Sequence, residues 1–124
     1  MIFRYARQTN NIELLTEFYT QIIGFKELGR FKNHSNYHGV MIGNLESDWH
    51  FEFTESNEPV DHYPDKDDLI ILYFNSKKEI DLIINKASNI GISREISSNP
   101  YWNEYGIEIK DPDGFGIILT ERIR

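Results

Sequence analysis

The chain carries one set of structural signals twice, at a nearly constant spacing. Glu13 and Glu79 stand 66 residues apart, each three positions after a residue suited to capping a helix, Asn10 and Ser76. Such a pair marks a helix N-terminus, because each side chain satisfies an orphan N–H group of the other. Behind these signals run two apolar stripes of helical period. The first holds Leu14, Leu15, Phe18, Tyr19, Ile22 and Ile23, and the second Ile80, Ile83, Ile84, Ala87 and Ile90. Gly24 and Gly91 stop them at an offset of 67, so the second helix is expected to be one residue longer. The offset of 66 returns between EFTE (52–55) and ILTE (118–121), pairing Glu52 with Ile118, and it pairs Phe3 with Leu69. The chain therefore reads as two copies of one supersecondary unit within a single domain: repeat one over 1–55, a linker over 56–68 and repeat two over 69–124.

Within each copy a strand precedes the helix and extended segments follow it. IFRYAR leads into the first helix, and FKELGRF, YHGVMIG and DWHFEFT follow, separated by clusters of turn-forming residues. The second copy gives LIILYF, its helix, ISREIS, YGIEIK and GIILTE. DPDG (111–114) joins the last two strands, with a proline set for the first central turn position and a glycine able to take positive φ. The expected fold class is α+β, two βαβββ repeats whose sheets form a curved mixed sheet around a cleft. The acidic, proline-containing linker SNEPVDHYPDKDD is expected to be solvated.

Charge and composition narrow the function classes. A formal charge of −7 with no basic run argues against nucleic acid and anionic membranes as partners. The longest apolar run, LIILYF, is too short to span a bilayer, and MIFRYARQTN shows no signal-peptide core. The absence of cysteine excludes disulfides, thiolate metal sites and a cysteine nucleophile, and it suits a reducing cytoplasm. No Ser–His–Asp pattern, phosphate-binding glycine loop or dinucleotide fingerprint is present. A small organic molecule is the expected partner. The 14% aromatic content predicts a thick core, an aromatic-lined cavity, or both.

WHFEFT (49–54) raises the question of chemistry. In a strand Trp49, Phe51 and Phe53 face one way, toward a core, while His50, Glu52 and Thr54 face the other. An imidazole beside a carboxylate there suits a metal site, a ligand pocket or a wet surface.

The tandem βαβββ pattern with EFYTQIIGF, FEFT and DPDGFGIIL resembles the vicinal oxygen chelate superfamily, which includes glyoxalase I, extradiol dioxygenases, fosfomycin-resistance proteins and bleomycin-binding proteins. YHGVMIG, WHFEFT and NPYW resemble its YycE-like branch. The resemblance covers essentially the whole chain. It implies metal-ligand positions on strands one and four of each repeat, which fall on Phe3, Glu52, Leu69 and Ile118. Only Glu52 carries a lone pair, and a lone carboxylate does not hold a catalytic zinc, which usually has three protein ligands. No cofactor is therefore expected, a divalent metal held by His50 and Glu52 with His34 or His38 being the disfavoured alternative. The resemblance also implies a homodimer, and a cleft face made by Phe3, Tyr5 and Arg7, by Leu69, Ile71 and Tyr73, and by the open sides of the fourth strands. Such a face is apolar and aromatic with a few polar groups, the usual make-up of a small-molecule pocket.

Two roles are open for Glu52: a structural pair with Arg7 or Tyr73, or a candidate general base in apolar surroundings. His50 either orients it or faces solvent. Tyr101 and Trp102 of NPYW either anchor a loop or form a stacking lid over the cleft. The first reading is a metal-independent binder of a small molecule, with Glu52, His50 and Arg7 as the polar groups. The alternatives are a glyoxalase-like lyase or isomerase using Glu52 as base, and a non-catalytic scaffold.

Overall fold

A computed structural model of the chain describes residues 1–122. It divides into two compact units, Met1–Asp61 and a second that begins at His62. The first holds β1 (Phe3–Gln8), a helix that starts as α1 (Ile12–Glu17) and continues as π-helical turns over Phe18–Ile23, then β2 (Lys26–His34), β3 (Tyr37–Gly43) and β4 (Trp49–Glu55). The second holds β5 (Leu69–Phe74), α2 (Lys77–Asn89), α3 (Pro100–Tyr105), β6 (Ile107–Lys110) and β7 (Gly116–Glu121). The class is α+β, as the repeat pattern predicts. Among the described residues no helix is long and apolar enough to cross a membrane.

Sheet order in the first unit is β1-β4-β3-β2, with β1 parallel to β4 and the remaining pairs antiparallel. The helix covers one face and buries Leu15, Phe18, Tyr19, Ile22 and Ile23 against Val40, Ile42, Phe51 and Phe53. Tyr19 sits amid rings, 5.2 Å from Phe53, 5.6 Å from Phe51 and 4.9 Å from Phe18, centroid to centroid. The aromatic side of WHFEFT is thus core. Gly24 ends the helix with φ 96°, a left-handed stop of the kind that costs glycine nothing.

The cap of this helix is not the expected one. Asn11, not Asn10, accepts from the Leu14 N–H at 3.0 Å, and Glu55 Oε1 takes the Ile12 N–H at 3.1 Å. Asn10 is used elsewhere: its amide exchanges hydrogen bonds with the Val60 backbone and ties the linker down. Glu13, expected to close a capping box, instead pairs with Arg30 of β2. The box in α2 forms as expected, with Ser76 and Glu79 satisfying each other's backbone N–H groups, an arrangement worth about 1 kcal/mol. From cap to cap, Asn11–Gly24 against Ser76–Ile90, the second helix exceeds the first by one residue, as expected.

In the second unit the sheet order is β5-β7-β6, with β5 parallel to β7. Ile80, Ile83 and Ala87 of α2 are buried with Ile109, Ile117 and Leu119, while Ile90 at the helix end is exposed rather than part of the stripe. The DPDG turn forms: Asp111 Oδ1 accepts from the N–H groups of Asp113 and Phe115 at 2.9 and 3.1 Å. ISREIS does not make a strand. It contributes one bridge, Glu95 to Glu108, and Ile96 projects into solvent. NPYW is no loop either. Asn99 caps Tyr101 N, Pro100 occupies the first helical position, and the helix α3 follows.

Candidate functional site

Strand register decides which side chains share a face. β1 pairs in parallel with β4, Phe3 opposite Trp49, Tyr5 opposite Phe51, Arg7 opposite Phe53 and Ala6 opposite Glu52. Phe3, Tyr5 and Arg7 therefore lie on the core side of the sheet, away from Glu52. Arg7 is 6% exposed, its guanidinium 5.2 Å above the Phe53 ring. Tyr5 meets Phe51 edge-on at 5.9 Å. The expected pairing of Glu52 with Arg7 does not occur, and Phe3 does not join Glu52 at a shared position.

What faces Glu52 is Arg4. Its Nε donates to His50 Nε2 at 2.9 Å, and its terminal nitrogen Nη1 lies 3.6 Å from Glu52 Oε2. A nitrogen that accepts carries no proton, so His50 is neutral with its proton on Nδ1. The imidazole holds the guanidinium plane in place. Beyond that contact Arg4 donates no hydrogen bond among the described residues, and Glu52, with its side chain 17% exposed, accepts none. A half-buried carboxylate without a hydrogen-bond donor thus stands beside a guanidinium that is 54% exposed, so the carboxylate is the costlier of the two to leave unmatched.

The floor around them is low because glycines leave room. Gly43 lies opposite His50 and Gly39 opposite Thr54. A Cβ on Gly39 would overlap the Phe31 ring, and one on Gly43 would stand 3.0 Å from His50 Cβ. Phe31 therefore lies down across the sheet, and Met41, opposite Glu52, completes an apolar margin. The face combines a short apolar floor with one cation, one neutral imidazole and one carboxylate.

The second unit has its own polar group on the equivalent face. Leu69, Ile71 and Tyr73 share the side of β5 that carries Gly116, Ile118 and Thr120 on β7. Ile118 is fully buried and Tyr73 is exposed. Beside Ile118 on β6 sits Glu108, only 3% exposed, accepting from Ser97 Oγ at 2.8 Å and Lys110 Nζ at 3.1 Å. Alternation of Glu108 and Lys110 with Ile107 and Ile109 signals a shared face in the sequence, but nothing there signals that segment 95–105 folds over it. α3 displays Tyr101, Trp102 and Tyr105 as a ring cluster, with Tyr101 4.8 Å from each of the other two. Thr120 Oγ1 donates to the Tyr105 carbonyl at 2.6 Å and fixes the helix end.

An open groove of about 460 Å³ at the start of α1 is lined by Asn11, Glu13, Arg30, Lys32, His38 and Glu55. Its polar groups are largely engaged in structure. Arg30 forks onto Glu27 at 2.9 and 3.1 Å and also reaches Glu13, holding the Glu27 carboxyl below the usual range while its own pKa rises. Glu55 caps α1, and His38 Nδ1 accepts from the Asn33 N–H. Among the described residues, no three His, Asp or Glu side chains gather as a metal site would require.

Two family models match the chain, the YycE-like N-terminal domain over residues 3–54 and the YycE-like C-terminal domain over residues 67–121. Protein YycE of Bacillus subtilis (strain 168) is 36% identical over 120 residues, covering 94% of this chain and 84% of that one. Its crystal structure superposes with a TM-score of 0.91 at 32% identity, covering 99% of this chain and 90% of that one. Leishmania major glyoxalase I, a trypanothione-dependent enzyme, shares the fold with a TM-score of 0.75 at 17% identity over 98% of this chain and 86% of that one. The antibiotic-binding protein TnmS3 from Streptomyces sp. CB03234 does so with a TM-score of 0.70 at 15% identity, covering 99% and 96%.

Proposed function

Because the chain belongs to the YycE-like family of the vicinal oxygen chelate superfamily, we propose that it binds a small organic molecule without a metal ion, on the open face built by Arg4, His50 and Glu52. The unmatched pair on that face carries the reading: Glu52 accepts no hydrogen bond and Arg4 donates only through Nε, among the described residues. A ligand supplying both partners gives half-buried Glu52 the donor that the fold does not, and offers the 54% exposed Arg4 an acceptor in place of water. The fold-sharing protein TnmS3 is an antibiotic-binding protein, so binding of a small organic molecule has a precedent within the fold.

The donor set does not fit the metal that the superfamily implies. Phe3, Leu69 and Ile118 have no lone pair to offer, and Arg4, the residue that reaches Glu52, brings a positive charge where a cation would sit. Glu52 as a general base is not part of the reading. That role asks for a carboxylate kept from cations, and beside apolar Met41 its neighbours include the Arg4 guanidinium 3.6 Å away, which favours the charged form over proton uptake.

The purified protein, incubated with Zn²⁺, Ni²⁺, Mn²⁺ and Fe²⁺ and then desalted, is expected to retain no stoichiometric metal. In a thermal-shift screen, a ligand at one hundred times its Kd adds about 2.7 kcal/mol, a rise of several degrees. Glu52→Gln and Arg4→Gln should each shrink that rise. Stoichiometric metal lost on Glu52→Ala, or a rise untouched by both variants, overturns the proposal. The homodimer goes with this reading, since Phe3 and Tyr73 are 56% and 57% exposed and a second copy is the partner that would cover them. Sedimentation velocity returning a monomer would remove it.

A further inference from the structure

From the same pair of groups we infer the chemical class of the ligand: a planar organic acid that carries an N–H or O–H donor beside its acid group. The inference rests on the reading of this face as the ligand site and goes further, because it assigns each polar contact. Arg4 is pinned through Nε by His50, which leaves the two terminal nitrogens of the guanidinium with no hydrogen-bond partner among the described residues. A planar fork with idle N–H groups matches a carboxylate in two-point contact, which a lysine in the same place cannot reproduce.

Glu52 stands 3.6 Å from that fork, and a carboxylate there repels a bare anion while it accepts from a donor. Only a ligand offering an acceptor and a donor on adjacent atoms satisfies both groups at once. His50, neutral and protonated on Nδ1, adds no charge to the balance. The flat margin of Phe31 and Met41, laid down over Gly39 and Gly29, suits a ring rather than a bulky aliphatic body. The net charge of −7 gives no long-range pull on anions, so recognition depends on the two contacts themselves.

The test uses 2-aminobenzoate as probe, followed through its own fluorescence, with benzoate and 2-aminobenzamide as competitors on the full chain. Benzoate keeps the charge and lacks the donor; 2-aminobenzamide keeps the donor and lacks the charge. Each is expected to bind roughly tenfold more weakly than 2-aminobenzoate, the scale of one hydrogen bond to a charged group. Arg4→Gln should erase the preference over 2-aminobenzamide, Glu52→Ala the preference over benzoate, with Glu52→Gln keeping part of it through its carbonyl, and Arg4→Lys should keep only part of the first. Added salt should weaken 2-aminobenzoate more than 2-aminobenzamide. Equal binding of acid and amide, a preference that survives Arg4→Gln, or no binding of 2-aminobenzoate overturns the assignment. Neutral ligands that still stabilise the protein and still depend on Glu52 would in that case leave the site standing and remove only its acid class.

Discussion

Phe53→Ala is expected to remove about 3–5 kcal/mol from the unfolding free energy, the usual range for truncating a buried phenylalanine. Phe53 is fully buried, with Tyr19 stacked on it at 5.2 Å and Phe51 edge-on at 5.8 Å. Its other neighbour makes the site unusual. The Arg7 guanidinium lies 5.2 Å above the ring, and a desolvated cation over an aromatic face contributes about 2 kcal/mol. Truncation loses the transfer term, leaves a cavity that rigid neighbours fill poorly, and withdraws the ring from beneath a buried charge. With total stabilities of about 5–15 kcal/mol for such domains, this single change should bring the protein near its folding threshold. Chemical denaturation checks it: the midpoint should fall sharply with little change in slope. Phe53→Leu, which keeps most of the volume, should cost less than about 1.5 kcal/mol in packing plus part of the cation–ring term. If alanine and leucine cost the same, the ring face under Arg7 dominates and cavity formation does not.

Arg7 also explains why half of the candidate site was misread from sequence. The internal repeat locates the helix stops and the last strand of each half, turn chemistry the DPDG turn, and strand alternation puts His50 and Glu52 on the open side. Carried to the first strands, it pairs Phe3 with Leu69. The observed pairings are Phe3 with Trp49 in one unit and Leu69 with Gly116 in the other, so the two copies differ by one residue between strand one and strand four. In a helix a slip of one residue turns the stripe; in a strand it moves every side chain to the opposite face. The strand's own alternation gives the right answer, since Arg4 and Gln8 form a polar side and Phe3 and Tyr5 an apolar one. Arg7 breaks that pattern by being a cation on the core side. The Asn11 cap marks the same slip, lying one residue nearer Ser76 than Asn10 does. Helix α3 was legible in principle from Asn99 and Pro100, a cap followed by a first-turn proline. Six residues are too few for periodicity to confirm such a helix.

Glu108→Ala is expected to cost about 2–3 kcal/mol and to loosen α3 from the sheet. YGIEIK reads as a strand with one wet face, yet Glu108 is almost wholly buried, because segment 95–105 folds over it. Its carboxylate joins two partners of different kinds. Lys110, 35% exposed at its side chain, can turn to water when Glu108 is lost, which keeps the cost below that of orphaning a buried charge. Ser97 has no such route. Its backbone is clamped by Asn103 of α3, N–H to Oδ1 at 2.7 Å and carbonyl to Nδ2 at 2.9 Å, so its hydroxyl stays aimed at the place the carboxylate leaves. The chain of contacts from Glu108 through Ser97 and Asn103 is therefore what seats the rings of Tyr101 and Trp102. In a Trp49→Phe background Trp102 is the only tryptophan, and its emission should shift to longer wavelength and quench more readily in Glu108→Ala well below the unfolding transition. Glu108→Gln keeps an acceptor for Ser97 and loses only the ionic contact, so it should cost about 1 kcal/mol and leave the emission unchanged. A glutamine variant that loosens Trp102 as much as alanine would mean that the charge pair with Lys110, not the hydroxyl contact, holds the helix.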